Sequence, residues 1–328
     1  MKRSNAFSEL MSRVRTLGSF APCAIAESAI RRYSPAFDAA AGAEKPAGIN
    51  FFVFHVDVPA SHRTIEYVDV KHDHWEFDYK ALANHFIWAS LNFHCHARIF
   101  YVTNESAVVP FSHPGVTVVR LPVDARAPMY ERVRAMAAYV HSRAFSANTV
   151  FLDSDAYPNG ALNGVFERDF DVGVTYRTTP GFMPLNEGVI FCARRRIAAA
   201  RKFFSAYLAT YEILKTDPVI RDYYGDIDRW RGGQLSLNAV GLPPDLSRPQ
   251  IFEREGIRIS SLPCNKFNYW VTKPIDLRQP TWDSKLVLHL KGDSKHLIGH
   301  VADYQLGWRL PSFAAAAGRR HQAYSYAA

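Results

Sequence analysis

No apolar run of membrane-spanning length, no paired-cysteine spacing and no internal repeat occurs in this 328-residue chain. Each absence removes a class of explanation. A membrane helix needs roughly 18 consecutive apolar residues, and no stretch approaches that. The four cysteines, Cys23, Cys95, Cys192 and Cys264, are scattered without a CxxC pair. That argues against a structural zinc site or a disulfide scaffold and for a reducing compartment. The Met1-Lys2-Arg3 start is like a signal n-region, but Ser, Glu, Arg and Gly follow it in place of a continuous apolar core. The expectation is a chain that is not exported: cytoplasmic, at most at a membrane surface.

What is present reads as globular. Hydrophobic content is 48% and charged content 21%, which excludes wholesale disorder. The length suits one large domain or two modest ones. Lys plus Arg number 39 against 31 Asp plus Glu, a net charge of +8. Such an excess suits phosphorylated ligands, nucleic acid or an acidic membrane, or serves solubility alone. The basic residues are dispersed with no aromatic-basic repeat, so no nucleic-acid partner is expected.

Residues 1–46 are basic (Lys2, Arg3, Arg13, Arg15, Arg31, Arg32), mildly amphipathic over 10–17, and end in an Ala/Gly-rich run. They read as a solvated helical or partly flexible extension on a linker. Peripheral contact of this basic segment with a membrane is the other reading. The body, 47–312, opens with an apolar strand at 49–56. A helix at 79–92, with Leu82, Phe86, Trp88 and Ala89 at helical spacing, comes next. Strands at 97–103 and 116–121, a helix at 128–145 and a strand at 150–152 follow. This alternation predicts an α/β fold with a mostly parallel sheet flanked by helices, whose ligands bind at the C-terminal strand ends. Beyond it, strands at 170–176 and 188–192, a helix at 195–214, a loop-then-helix at 226–240 and a strand at 285–290 are expected. The Ala/Gly/Arg/His tail, 313–328, reads as disordered.

Four segments carry chemistry. Asp153-Ser154-Asp155 closes the apolar strand Thr149-Val150-Phe151-Leu152. Two carboxylates at the mouth of a strand cost burial energy unless a cation sits there, and hard oxygen ligands suit Mg²⁺ or Mn²⁺. Taken alone the triplet is also what a loop of solvated acids looks like. A phosphatase with a strand-terminal DxD is a rival, but it wants Thr or Val where Tyr157 stands. In the second segment His289 ends a strand, Gly292 lets backbone approach a ligand, and Lys295 can reach a phosphate as a point charge. A neutral imidazole beside two carboxylates is a good Mn²⁺ ligand, although most of the 13 histidines, including those at 72–74 and 94–96, read as ordinary polar positions. Third, Asn186-Glu187-Gly188 stands at the entrance of an apolar strand. Fourth, Gly232-Gly233-Gln234 opens a helix that also carries Asn238.

In this order, these segments resemble the GT-A-fold glycosyltransferases, and within them glycosyltransferase family 8, the glycogenin and lipooligosaccharide galactosyltransferase group. The resemblance runs from about residue 49 to 297. It rests on Tyr130-Glu131-Arg132, Asp153 and Asp155, Asn186-Glu187-Gly188-Val189, Gln234 with Asn238, and His289, Gly292 and Lys295. It implies a mixed, mostly parallel GT-A sheet, with a Rossmann-like nucleotide-binding half (about 47–160) and an acceptor half (about 161–312). It implies that Asp153, Asp155 and His289 hold Mn²⁺ (or Mg²⁺) on the diphosphate of a nucleotide-sugar donor, usually UDP-linked. Lys295 and the Gly292 backbone would bind phosphate oxygens, and Arg132 would lie near the donor sugar. The strand end 55–58, with Val58, would lie beside uracil and ribose. Gln234 would face the anomeric carbon, and Asn186 would line the donor or acceptor sugar. The chain departs from that family at Gly233, where the family has aspartate, and after Lys295, where His296-Leu297 replaces Pro-Trp.

The implied reaction is hexosyl transfer to a carbohydrate or glycoconjugate acceptor, with the retaining course favoured. Cleaving a sugar–phosphate bond places charge on the departing diphosphate, which a metal and Lys295 would stabilise. An inverting course would need a base, for which Glu187, Asp226 and Asp228 are candidates. A retaining one would not, because the leaving diphosphate can accept the proton. Tyr223, Tyr224, Trp230, Phe267, Tyr269 and Trp270 could stack on an acceptor sugar or pack the core beneath it. The loop 262–268 would lie near the cleft. A non-catalytic nucleotide-sugar or carbohydrate-binding protein is the alternative reading.

Overall fold

A strand as apolar as Phe51-Phe52-Val53-Phe54 can exist only where both of its faces are covered, and that requirement sets the architecture. The structure is a computed structural model and describes residues 2–42, 48–57, 79–109, 111–179, 183–229, 231–274 and 282–311, without the side chains of residues 2–7. In chain order the first half contains α1 (Lys2–Thr16), α2 (Ala24–Ala39), β1 (Asn50–Phe54), α3 (Tyr79–Phe93), β2 (Arg98–Asn104), β3 (Val116–Leu121), α4 (Pro128–His141), β4 (Thr149–Asp153) and β5 (Ala156–Pro158). The second half contains β6 (Val172–Tyr176), β7 (Leu185–Cys192), α5 (Ile197–Thr216), α6 (Pro218–Tyr224), α7 (Gly232–Gly241), β8 (Ile251–Arg254) and β9 (Ile257–Pro263). It closes with α8 (Cys264–Phe267), β10 (Tyr269–Trp270), β11 (Val287–His289) and α9 (Ile298–Tyr304).

The described strands form an eight-stranded sheet in the order β3-β2-β1-β4-β7-β6-β9-β8 and a three-stranded sheet in the order β10-β11-β5. In the large sheet β3, β2, β1 and β4 are mutually parallel. β7 runs antiparallel to β4 and β6, β9 is parallel to β6, and β8 is an antiparallel edge. Phe51 and Val53 enter one core with Val150, Leu152 and Phe191, beneath α3 and the small sheet. Phe52 and Phe54 point the other way, into a core shared with Phe100, Phe151 and residues of α2, α4, α5 and α7. The period-2 alternation thus feeds two cores. The fold is mixed α/β with a mostly parallel central sheet flanked by helices, as the sequence predicts.

Several elements differ from expectation. Residues 2–42 do not form a solvated extension. Leu10, Met11, Val14, Ala26, Ile30, Tyr33 and Phe37 are buried in the main core, so Arg13, Arg15, Arg31 and Arg32 lie on the outer face of amphipathic helices. Arg13 pairs with Asp217 at 2.6 Å, and the Arg98 guanidinium donates to the carbonyls of Ala40 and Ala41, tying this segment to the body at both ends. The linker residues 43–47 and the tail 313–328 lie outside or, for the tail, beyond the described residues. The helix expected at 128–145 ends at His141, where Ser142 turns extended and its hydroxyl donates to the Tyr139 carbonyl. The β8–β9 hairpin and α6 carry weak periodicity and were not expected. The hairpin turn is Glu255-Gly256, both with positive φ, the conformation that a tight two-residue turn demands. All four cysteines are free. No helix among the described residues is long and apolar enough to cross a membrane.

Candidate metal centre

Asp153 is the last residue of β4, and the chain turns at once into β5. β5 pairs antiparallel with β11, setting His289 opposite Ala156, while the Leu290 amide donates to the Asp155 carbonyl at 2.8 Å. This ladder carries His289 across the sequence to the two aspartates. One ligand atom from each of Asp153, Asp155 and His289 lies within 4.8 Å of the others. His289 Nε2 is 3.0 Å from Asp155 Oδ1 and 3.6 Å from Asp153 Oδ2. His289 and Asp155 are buried and Asp153 is partly open to solvent.

The histidine's tautomer follows from its neighbours. The Asn268 amide donates to Asn186 Oδ1 at 2.7 Å and to Thr175 Oγ1 at 2.9 Å, so its carbonyl oxygen is the atom facing His289 Nδ1 at 2.8 Å. Nδ1 must therefore carry a proton, leaving the Nε2 lone pair among carboxylate oxygens. Burial pushes the His289 imidazole toward its neutral form, with Asp155 opposing. Three convergent lone-pair donors of this kind could hold a cation, and a divalent ion with N/O preference fits.

Basic residues flank the triad. Burial alone would raise the Asp155 carboxyl, but Lys295, at 2.7 Å, holds it far below the usual carboxylate range. The buried Arg132 guanidinium pairs with Asp153 at 2.8 Å and with Glu187 at 3.1 Å, and also donates to the Glu187 carbonyl at 3.0 Å. Lys291, just past β11, is pushed down to about 8, first by desolvation. Burial holds the Glu187 carboxyl above its ordinary value against Arg132, and Tyr207 donates to it at 2.9 Å. On the far side of Asn268, the Asn186 amide donates to Gln234 Oε1 at 3.4 Å.

Asp153, Asp155, His289, Lys295, Arg132, Asn186, Glu187 and Gln234 are therefore one connected set. Gly292 opens the 3-10 turn Gly292–Leu297 with a φ of 54°, a conformation that favours glycine. Val58, Trp230 and the histidines at 72–74 lie outside the described residues. The hydrogen bonds and ion pairs of Asp226 and Asp228 do not reach the triad; Asp228 pairs with Lys215 at 3.6 Å beside a groove of about 720 Å³. Of the aromatics, Phe267 packs on Phe191 and Tyr269 on Trp282, whereas Trp270, in register with His289, is exposed. Sequence reasoning missed three contributors. Asn268 was named only within the loop 262–268 near the cleft, Gly188 only within the Asn-x-Gly-Val strand start, neither with a role, and Tyr207 sits inside an amphipathic helix. A Cβ on Gly188 would lie 2.4 Å from His289 Cε1 and 2.7 Å from Asp153 Oδ2, so the triad is built against a missing side chain.

The chain matches no known family profile and no curated protein sequence. Solved structures align with parts of it. The glycosyltransferase GlyE of Streptococcus pneumoniae TIGR4 aligns at 13% identity with a TM-score of 0.47, over 84% of this chain and 65% of its own. A glycosyltransferase involved in glycosylation of the major capsid of PBCV-1 aligns at 11% identity and 0.41, over 77% and 98%. The WbbM bifunctional glycosyltransferase aligns at 10% and 0.46, over 83% and 53%. All three are glycosyltransferases. The chain spans less than two thirds of the length of the GlyE and WbbM chains. Its own function is argued from the site.

Proposed function

We propose that this protein is a metal-dependent GT-A glycosyltransferase that moves a hexose from a nucleotide-diphosphate donor, UDP-linked, to a hydroxyl of a glycan or other glycoconjugate. The observation that carries the reading is the neutral Nε2 of His289 set among the Asp153 and Asp155 oxygens, with Lys295 and Arg132 alongside. Asp153, Asp155 and His289 would hold Mn²⁺ or Mg²⁺, which when bound supplies Lewis-acid charge to a diphosphate. Lys295 and the Gly292 backbone then offer donors to phosphate oxygens, an arrangement that favours charge on the leaving group. Arg132 orients Asp153. Asn186 and Gln234 form a hydrogen-bonded pair beside the triad, and they are the polar groups we assign to the sugar. Glu187 has its carboxylate taken up by Arg132 and Tyr207, which supports a retaining course with no separate protein base. The exposed Trp270 ring beside His289 suits an acceptor sugar. Residues 47–160 would form the donor half and 161–312 the acceptor half, and the free cysteines suit a reducing cytoplasm.

The test is release of UDP from common UDP-sugars in Mn²⁺, with and without EDTA. Wild type should turn over only with metal, and Asp155→Ala should lose at least about 100-fold, since even outer-shell changes at metal sites cost 10–100-fold. No metal-dependent release from any donor, with binding retained, would favour the non-catalytic nucleotide-sugar-binding reading. Near-normal turnover by Asp155→Ala would sink the metal assignment.

A further inference from the structure

Two consecutive glycines in the first turn of a helix are unfavourable relative to alanine, so Gly232-Gly233 at the start of α7 needs a reason. Backbone conformation does not supply one, because neither glycine has a positive φ. Space does. A Cβ on Gly233 would lie 2.0 Å from Glu187 Oε2 and 3.1 Å from the Tyr207 hydroxyl. A Cβ on Gly232 would lie 2.1 Å from the Tyr211 hydroxyl and 2.6 Å from the Ile227 carbonyl oxygen. The pair leaves a notch, and the carboxylate of Glu187, carried by β7, fills it.

The notch also offers donors that offset part of the cost of burying a negative charge. The first N–H groups of a helix have no intrahelical partner and attract an anion. Here the Gln234 backbone N–H donates to the Glu187 carboxylate, as does the Tyr207 hydroxyl at 2.9 Å, and Arg132 Nη1 forms an ion pair with it at 3.1 Å. Arg132 in turn holds Asp153 at 2.8 Å. A continuous chain of contacts therefore runs from the triad through Arg132 and Glu187 to the residue whose side chain meets Asn186.

We propose that Glu187 is a positioning residue: a carboxylate delivered from β7 into the Gly232-Gly233 notch of α7, where it divides the Arg132 guanidinium between itself and Asp153 and fixes Gln234. Without this second carboxylate, the whole guanidinium charge is free to close on Asp153 and compete with a divalent cation. The effect on Gln234 rests on the glycosyltransferase reading; the effect on the cation does not.

The experiment compares wild type with Glu187→Ala, Glu187→Gln, Gly233→Asp and the double variant Glu187→Ala/Gly233→Asp, measuring Mn²⁺ affinity, melting temperature and, with a UDP-sugar, kcat and KM. Glu187→Ala should weaken Mn²⁺ about tenfold and lower kcat with donor KM little changed. Glu187→Gln, which keeps shape and hydrogen bonds but not charge, should show the same Mn²⁺ loss with a near-normal melt. Gly233→Asp alone should melt lower than wild type, because its side chain meets Glu187. The double variant, which returns a carboxylate from α7 itself, should regain at least half of the lost Mn²⁺ affinity on a logarithmic scale. Wild-type Mn²⁺ affinity in both Glu187 variants, a normal melt for Gly233→Asp, or a double variant no better than Glu187→Ala would each overturn the proposal. A wild type that binds Mn²⁺ yet releases no UDP would sink the transferase reading instead, with the affinity and melting arms still read.

Discussion

Gly188→Ala adds one methyl group at the most crowded point of the site. Its Cβ would stand 2.4 Å from His289 Cε1, 2.9 Å from His289 Nδ1 and 2.7 Å from Asp153 Oδ2, where ordinary contact begins at 3.4 Å. The imidazole must therefore retreat by about 1 Å and the carboxylate by about 0.7 Å. His289 has little room to do so, being buried between Asn268 at 2.8 Å and Asp155 at 3.0 Å. Overpacking of this kind costs about 1–3 kcal/mol, well within a typical stability of about 5–15 kcal/mol, so the variant should fold. Part of the strain is offset because alanine restricts the unfolded chain, by about 0.4–1 kcal/mol. Metal–ligand distances tolerate only about 0.2 Å, so the displaced triad should bind Mn²⁺ at least about tenfold more weakly. A shift of about 1 Å at reacting groups costs roughly 100-fold in rate, or about 2.7 kcal/mol. Calorimetric Mn²⁺ titration beside a circular-dichroism melt reads both quantities. A folded Gly188→Ala protein with Mn²⁺ affinity within twofold of wild type would refute the geometry of the triad.

Two further outcomes follow from the surrounding network. Asn268→Ala removes the acceptor that holds the proton on His289 Nδ1 and leaves a buried N–H unpaired, so Mn²⁺ affinity should fall about 10–100-fold; unchanged binding in the same titration would contradict the tautomer assignment. Asp217 caps α6 through the amides of Val219 and Ile220 and takes a hydrogen bond from Arg13, which chiefly holds its carboxyl below the usual range. A folded-state pKa below the unfolded one, about 3.9, gives stability that is present above that value and lost as pH falls through the folded pKa. Asp217→Asn should therefore lie below wild type in urea unfolding at pH 7, with the gap narrowing as pH falls below about 3.9, and a gap that does not narrow in acid would show that the Arg13 pairing adds no stability.

Most of the elements and half of the site could be read in the sequence because their signals are local. An apolar run ending in Asp-Ser-Asp is a strand with carboxylates at its mouth wherever it lies, and strand–helix alternation already implies a mostly parallel sheet. His289, Gly292 and Lys295 were legible as types, by their position after an apolar strand. The N-terminal helices were misjudged because charge count speaks louder in a list of residues than an apolar stripe that only packing, of α1 against α7 and α2 against α4, reveals.

By itself, then, the sequence determined which carboxylate, imidazole and amine groups are present, and on or just past which strand ends they stand. Only the tertiary structure decided which of them meet. The β5–β11 ladder sets His289 against Asp155, and Asn268 chooses its tautomer. Arg132 is shared between Asp153 and Glu187, and glycines at 188, 232 and 233 are required by what lies across from them. Propensity and periodicity act over a few residues, whereas steric exclusion and shared charge act between atoms far apart in sequence, so they appear only once the chain has folded.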